Sequence, residues 1–190
     1  MQATHHHVLQ LDIQGTPQAW IPVEHAATHH ASGAVAWCDG DGPLRTLRGG
    51  WNVASGQQSL IDVHPIIALR GAARVNLFER TTAVTASKLF RRDRMTCAYC
   101  GLRFHERDLQ CEHVVPESRG GAWSWTNLVT ACAWCNGRKA DRTPEEARMP
   151  LMYLPYVPSR FEDFLLAGRN IRADVHGWLA ARLPKASRLN

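Results

Sequence analysis

The chain has 190 residues, 45% hydrophobic and 21% charged, with a formal net charge of +5. That length suits one domain, or one domain with a small appended module, and it can bury a modest core. No apolar run approaches the roughly 18 residues of a membrane span and residues 1–10 lack a secretion-signal core, so a soluble, cytoplasmic chain without a membrane partner is expected.

In chain order, His5-His6-His7 reads as a solvated terminus. Residues 8–13 alternate as a strand does, and residues 14–17 make a turn. A short helix is predicted from Pro22 to about Ser32, with proline at its start and Gly33 closing it. Its His25, His29 and His30 are read as surface residues. Residues 34–38 and 44–47 are predicted strands around the turn at 39–43. Residues 48–58 hold three glycines and read as a loop, and residues 59–63 and 66–69 return as short strands. Residues 70–85 are a connecting stretch.

Further along, a strand is expected around Leu109 to Val114. Pro116 to Gly121 must turn sharply, and Gly120 and Gly121 tolerate positive φ. A second strand or helix start is expected over 126–132 and a helix over 135–140. Thr143-Pro144-Glu145-Glu146 has the form of a capping-box helix start, and Ser159 with Glu162 repeats the box ahead of a C-terminal helix.

Six cysteines in a chain without a secretion signal favour thiols and metal over disulfides. Cys97/Cys100 and Cys132/Cys135 are two CxxC pairs that can hold one zinc ion tetrahedrally. Cys38 and Cys111 are left over, Cys111 as a small buried strand residue. Between the pairs lies Glu112-His113. Asn127 falls 14 residues after His113, and Asn136 falls 23 after it, behind the last cysteine. A carboxylate, an imidazole and carboxamides gathered by one zinc frame are the ingredients for holding a hard divalent cation and activating a water beside it. Ten Lys/Arg against six Asp/Glu lie in residues 86–142, whereas residues 1–85 hold five against six. Positive charge around a candidate metal site suits a polyanion. Trp123, Trp125 and Trp134 either stack on bases or fill the small core around the zinc, the core being the commoner fate.

Residues 97–101 (Cys-Ala-Tyr-Cys-Gly), 112–121 (Glu-His-Val-Val-Pro-Glu-Ser-Arg-Gly-Gly), 127–129 (Asn-Leu-Val) and 131–139 (Ala-Cys-Ala-Trp-Cys-Asn-Gly-Arg-Lys) together resemble the HNH endonucleases of the ββα-metal class. The resemblance is strongest over residues 88–148, and residues 87–93 (Ser-Lys-Leu-Phe-Arg-Arg-Asp) resemble the short basic helix that leads into many members of the family. It implies a metal-dependent DNA endonuclease in which His113 is the catalytic histidine that activates water. Glu112, where the family usually has Asp, and Asn136 would be ligands of a catalytic Mg²⁺ or Mn²⁺. Asn127 would brace the loop and help orient His113. Four thiolates leave zinc no open position, so that ion is structural. Arg119, Arg138 and Lys139 are placed for phosphate contact. The rival reading is a zinc-stabilised nucleic-acid-binding module without catalysis, which has no need of Glu112, His113, Asn127 and Asn136 together. A CxxC redox protein lacks its βαβ context.

The expected fold is α+β in three parts. Residues 1–85 form a β-rich module with one short helix, residues 86–148 a zinc-stabilised ββα-metal unit, and residues 149–190 a C-terminal helical extension.

Overall fold

The computed structural model describes residues 7–71, 82–168 and 170–190. His5, His6 and most of the connecting stretch lie outside them. The chain forms two compact units, one of residues 1–80 with 168–178 and one of residues 81–167 with 179–190. The mixed α+β architecture expected from the sequence is present.

In the first unit, β1 (His7–Asp12) and β2 (Pro17–Pro22) form a hairpin around the turn at residues 13–16. Helix α1 (Val23–Ala31) starts directly behind Pro22, whose φ of −62° and extended ψ suit an N-cap, and it ends at Ser32 ahead of a left-handed Gly33. Strand β3 (Val35–Asp39) follows. Next come β4 (Arg45–Asn52) and β5 (Gln57–Val63), which pair as a two-stranded ribbon, and then β6 (Ile66–Leu69). The four-stranded sheet has the order β2-β1-β6-β3, with β1 parallel to β6 and its other pairs antiparallel. Val8, Ile21, Val23, Ala26, Val63 and Ile67 form its core.

One strand of this unit was not foreseen and one expectation fails. Residues 17–22 are a strand, masked in the sequence by prolines at both ends. Residues 48–58 are mostly ribbon, because the register shift between Arg48 and Trp51 absorbs Gly49 and Gly50 and lets pairing resume at Trp51↔Gln58. Glycines that read as loop formers are here the residues of a bulge.

In the second unit, α2 (Ala86–Arg92) begins at Thr85, whose side chain accepts from the Lys88 N–H. Strands β7 (Leu109–His113) and β8 (Leu128–Cys132) pair antiparallel with Leu109 opposite Cys132 and His113 opposite Leu128. Helix α3 (Ala133–Lys139) follows β8 without a loop. The box at Thr143 forms, with Thr143 N–H donating to Glu146 and Glu146 N–H to Thr143, yet it caps one turn and no helix, since Arg148 turns to positive φ. The Ser159–Glu162 box does start a helix, α4 (Arg160–Ala167). The single C-terminal helix expected is two, α4 and α5 (Ala173–Ala180), interrupted by a segment with Asn170 at φ 55°.

The second unit is pinned by a buried pair that sequence patterning missed. The side chains of Arg92 and Asp93 are wholly buried. The Arg92 guanidinium donates to both Asp93 oxygens and to the carbonyls of Trp125, Leu128 and Tyr156 at 2.8–3.1 Å, and it lies 5.4 Å from both the Trp125 and Tyr156 ring centres. Asp93 also accepts from the backbone and hydroxyl of Thr130 on β8, each at 2.9 Å. All this ties α2 to the hairpin strand that leads into α3.

Candidate active site and zinc centre

The Cys97, Cys100, Cys132 and Cys135 sulfurs all lie within 4.8 Å of one another. A tetrahedron of 2.3 Å zinc–sulfur bonds has edges of about 3.8 Å, so the donor set fits one zinc with small adjustment. Backbone geometry builds each knuckle. Gly101, at φ 71°, donates to the Cys97 carbonyl, and the Cys135 N–H points at the Cys132 sulfur at 3.4 Å. Burial and the neighbouring thiols push the Cys135 thiol up, a crowding of anionic groups that a bound dication would relieve. The Tyr99 phenol is pushed up by burial and by the Glu112 carboxylate, and its buried hydroxyl has no hydrogen-bond partner among the described residues.

The pleat of β7 then distributes the chemistry. Gln110 and Glu112, two residues apart, share a face. Asn136 and Lys139, three apart on α3, share a helix face. Asn136 Nδ2 donates to Gln110 Oε1 at 2.7 Å, and Lys139 Nζ to Glu112 Oε1 at 2.5 Å. The two residues expected to hold the hydrolytic cation, Glu112 and Asn136, thus lie along one strand–helix seam. His113, the last residue of β7, has its ring 5.6 Å from that of Trp123 in an edge-on arrangement, and its carbonyl accepts from Lys139 Nζ at 2.8 Å.

Asn127 holds the loop that leaves His113. Its Oδ1 accepts from Val115 N–H at 2.9 Å, while Nδ2 donates to the carbonyls of Val115 and Ala122 at 3.1 and 3.0 Å. Gly120 takes the left-handed conformation at φ 83°, but Gly121 does not. Gly121 is glycine for lack of space: a Cβ there would overlap the Val115 carbonyl oxygen and come within 2.9 Å of Asn127 Nδ2.

The donor set suits a hard divalent cation: one carboxylate and one carboxamide, with a positive charge already seated on the carboxylate. That charge is the Lys139 ammonium. Lys139, expected among the phosphate contacts, is 0% exposed and ion-paired with Glu112, itself 7% exposed. Burial of its aliphatic stem against the seam removes it from the surface. Arg119 is exposed and bridges both Glu146 oxygens at 2.8 Å, which raises its already high pKa. Such an exposed pair is weak and exchanges readily for another anion. Arg138 is exposed, 5.5 Å from the ring centre of Trp134.

The tryptophans divide. Trp125 is core at 2% exposed, whereas Trp123 and Trp134 are 55% and 68% exposed, against the expectation of core. Trp134 lies on α3, too short a helix to give a periodicity from which its outward face could be read, and Trp123 lies in the loop before β8.

The hairpin β7–β8 followed by α3, closed by four thiols, defines a ββα unit with hard-ligand residues on its seam. Residues 97–152 match the model of the HNH endonuclease family. The resemblance read from the sequence therefore holds over this stretch, and the match supports nuclease or hydrolase activity. No curated protein matches the chain. None of the described helices is long and apolar enough to cross a membrane.

Proposed function

We propose that the protein is a metal-dependent DNA endonuclease in which His113 activates the attacking water. One observation supports this most: β7 and α3 present Glu112 and Asn136 along one seam while His113 ends the same strand. A ring nitrogen of His113 accepts the proton of the water as it attacks phosphorus in line with the 3′ oxygen. The Trp123 ring packs beside the His113 ring, and the bond from Lys139 fixes the His113 carbonyl. Asn127 fixes the outgoing loop by its three hydrogen bonds and so orients His113 without touching substrate.

Glu112 and Asn136 would hold Mg²⁺ or Mn²⁺, which supplies charge neutralisation at the phosphate and assistance to the departing 3′ oxygen. The four-cysteine centre takes zinc and keeps the frame. Arg138 with Trp134 offers a cation and a stacking surface on the exposed face of α3, and Arg119 can trade Glu146 for a phosphate. Products carry 5′-phosphate and 3′-hydroxyl ends. Supercoiled plasmid incubated with Mg²⁺ or with EDTA tests the reading. Nicking with Mg²⁺, loss of nicking in EDTA with zinc retained, and ends that ligate directly are expected. Equal cleavage in EDTA would contradict it.

A further inference from the structure

The ion pair between Lys139 and Glu112 is the feature that the proposed mechanism leaves unused. Lys139 is among the largest fully buried side chains of the described residues, and its ammonium joins the two neighbours that matter, Glu112 through Oε1 at 2.5 Å and His113 through its carbonyl at 2.8 Å. A buried carboxylate without a cation is strongly unfavourable, so the ionised Glu112 needs a positive partner, and Lys139 is that partner here. Asn136 lies three residues before Lys139 on the same helix face and reaches Gln110, which precedes Glu112 by two on the same strand face. The ammonium and the expected ion therefore call on the same carboxylate from the same seam.

We propose that Lys139 is a built-in counter-ion for the catalytic cation site: it holds Glu112 in the metal-free protein and must leave that carboxylate for a divalent ion to bind there. This rests on the reading of Glu112 and Asn136 as the site of that ion. Two cations on one carboxylate repel each other, so the lysine weakens binding of free metal. A substrate phosphate offers the displaced ammonium a new anion. Metal and DNA binding then favour one another, and by linkage each strengthens the other equally.

The test is a Mn²⁺ titration of the full-length zinc-loaded protein without DNA, followed by the EPR signal of free Mn²⁺. Lys139→Met should bind Mn²⁺ at least about tenfold more tightly than wild type, roughly one decade of affinity per 1.4 kcal/mol. Lys139→Gln, which can still donate to Glu112 without a charge, should do the same if Lys139→Met does not fold. The double variant Glu112→Gln/Lys139→Met should lose the gain. In wild type, the ¹⁵N-detected ammonium signal of Lys139 should shift as Mg²⁺ saturates the site. An unmoved signal at saturation, or unchanged Mn²⁺ affinity in either Lys139 variant, would overturn the proposal. A wild type and variants that bind no Mn²⁺ even with DNA present would refute the metal-site reading itself, and this inference with it.

Discussion

Substituting Gly121 by alanine should dismantle the loop behind His113 with a single methyl group. The added carbon would overlap the Val115 carbonyl oxygen and crowd Asn127 Nδ2 at 2.9 Å, so the backbone must move. That motion breaks the Asn127 bonds to Val115 N–H, Val115 O and Ala122 O. At about 0.5–1.5 kcal/mol each, three such bonds are worth roughly 1.5–4.5 kcal/mol. A displacement near 1 Å at a catalytic group costs on the order of 10²-fold in rate. Gly120→Ala is the control. Its methyl meets nothing within 4 Å, and the cost is the left-handed backbone alone, about 1–2 kcal/mol. Urea unfolding of the zinc-loaded protein, with plasmid nicking on the same samples, reads both quantities. Gly121→Ala should lose at least as much stability as Gly120→Ala and far more activity. If Gly121→Ala nicks at the wild-type rate, the bracing role given to Asn127 is wrong.

Three other outcomes are expected. Arg92→Met leaves Asp93 buried without its cation and should cost about 3–5 kcal/mol by urea denaturation, with part recovered on adding Asp93→Asn; a cost under about 1 kcal/mol would refute the keystone. His30 has its pKa lowered by burial and by the nearby His64 and His29. The folded state thus disfavours the charged imidazole, so the His30 contribution is full above the ordinary value of 6.5 and is lost as pH falls below it towards the lowered folded value. His30→Gln should flatten the pH dependence of stability on that acid side, measured by thermal unfolding from pH 8 to 5. Trp134→Ala should weaken affinity for single-stranded DNA by roughly 1–3 kcal/mol while leaving zinc content unchanged, measured by anisotropy of a labelled oligonucleotide at fixed salt; unchanged affinity would remove Trp134 from the interface.

What could be read from the sequence follows from which forces are local. CxxC spacing dictates its own knuckle geometry, so the four sulfurs were legible before any fold was known. The Ser159–Glu162 box and the Thr85-capped basic helix are likewise short-range. The box at Thr143 shows the limit: its two hydrogen bonds form as written, but the chain after Glu146 turns away and no helix grows. Gly49 and Gly50 look like loop residues, yet neither takes positive φ and the ribbon absorbs both at its register shift. Lys139 looked like a surface cation since its burial depends on Glu112, 27 residues away. Arg92 was one of two adjacent arginines on a basic helix, and only the packing of Trp125, Tyr156 and β8 separates the buried one from its neighbour. The mutual position of Glu112 and Asn136 was foreseeable as a spacing, while the ladder with Gln110 and Lys139 that carries it was not.

The most direct measurement is single-turnover cleavage of a labelled DNA duplex by His113→Ala beside wild type, at saturating Mg²⁺, with zinc content and DNA affinity determined on the same preparations. A positioned general base contributes about 10²–10⁴-fold. The variant should therefore keep its zinc, fold and DNA affinity, cleave at least about 10²-fold more slowly, and gain nothing from excess Mn²⁺. Cleavage by His113→Ala at the wild-type rate would contradict the assignment of His113 as the base.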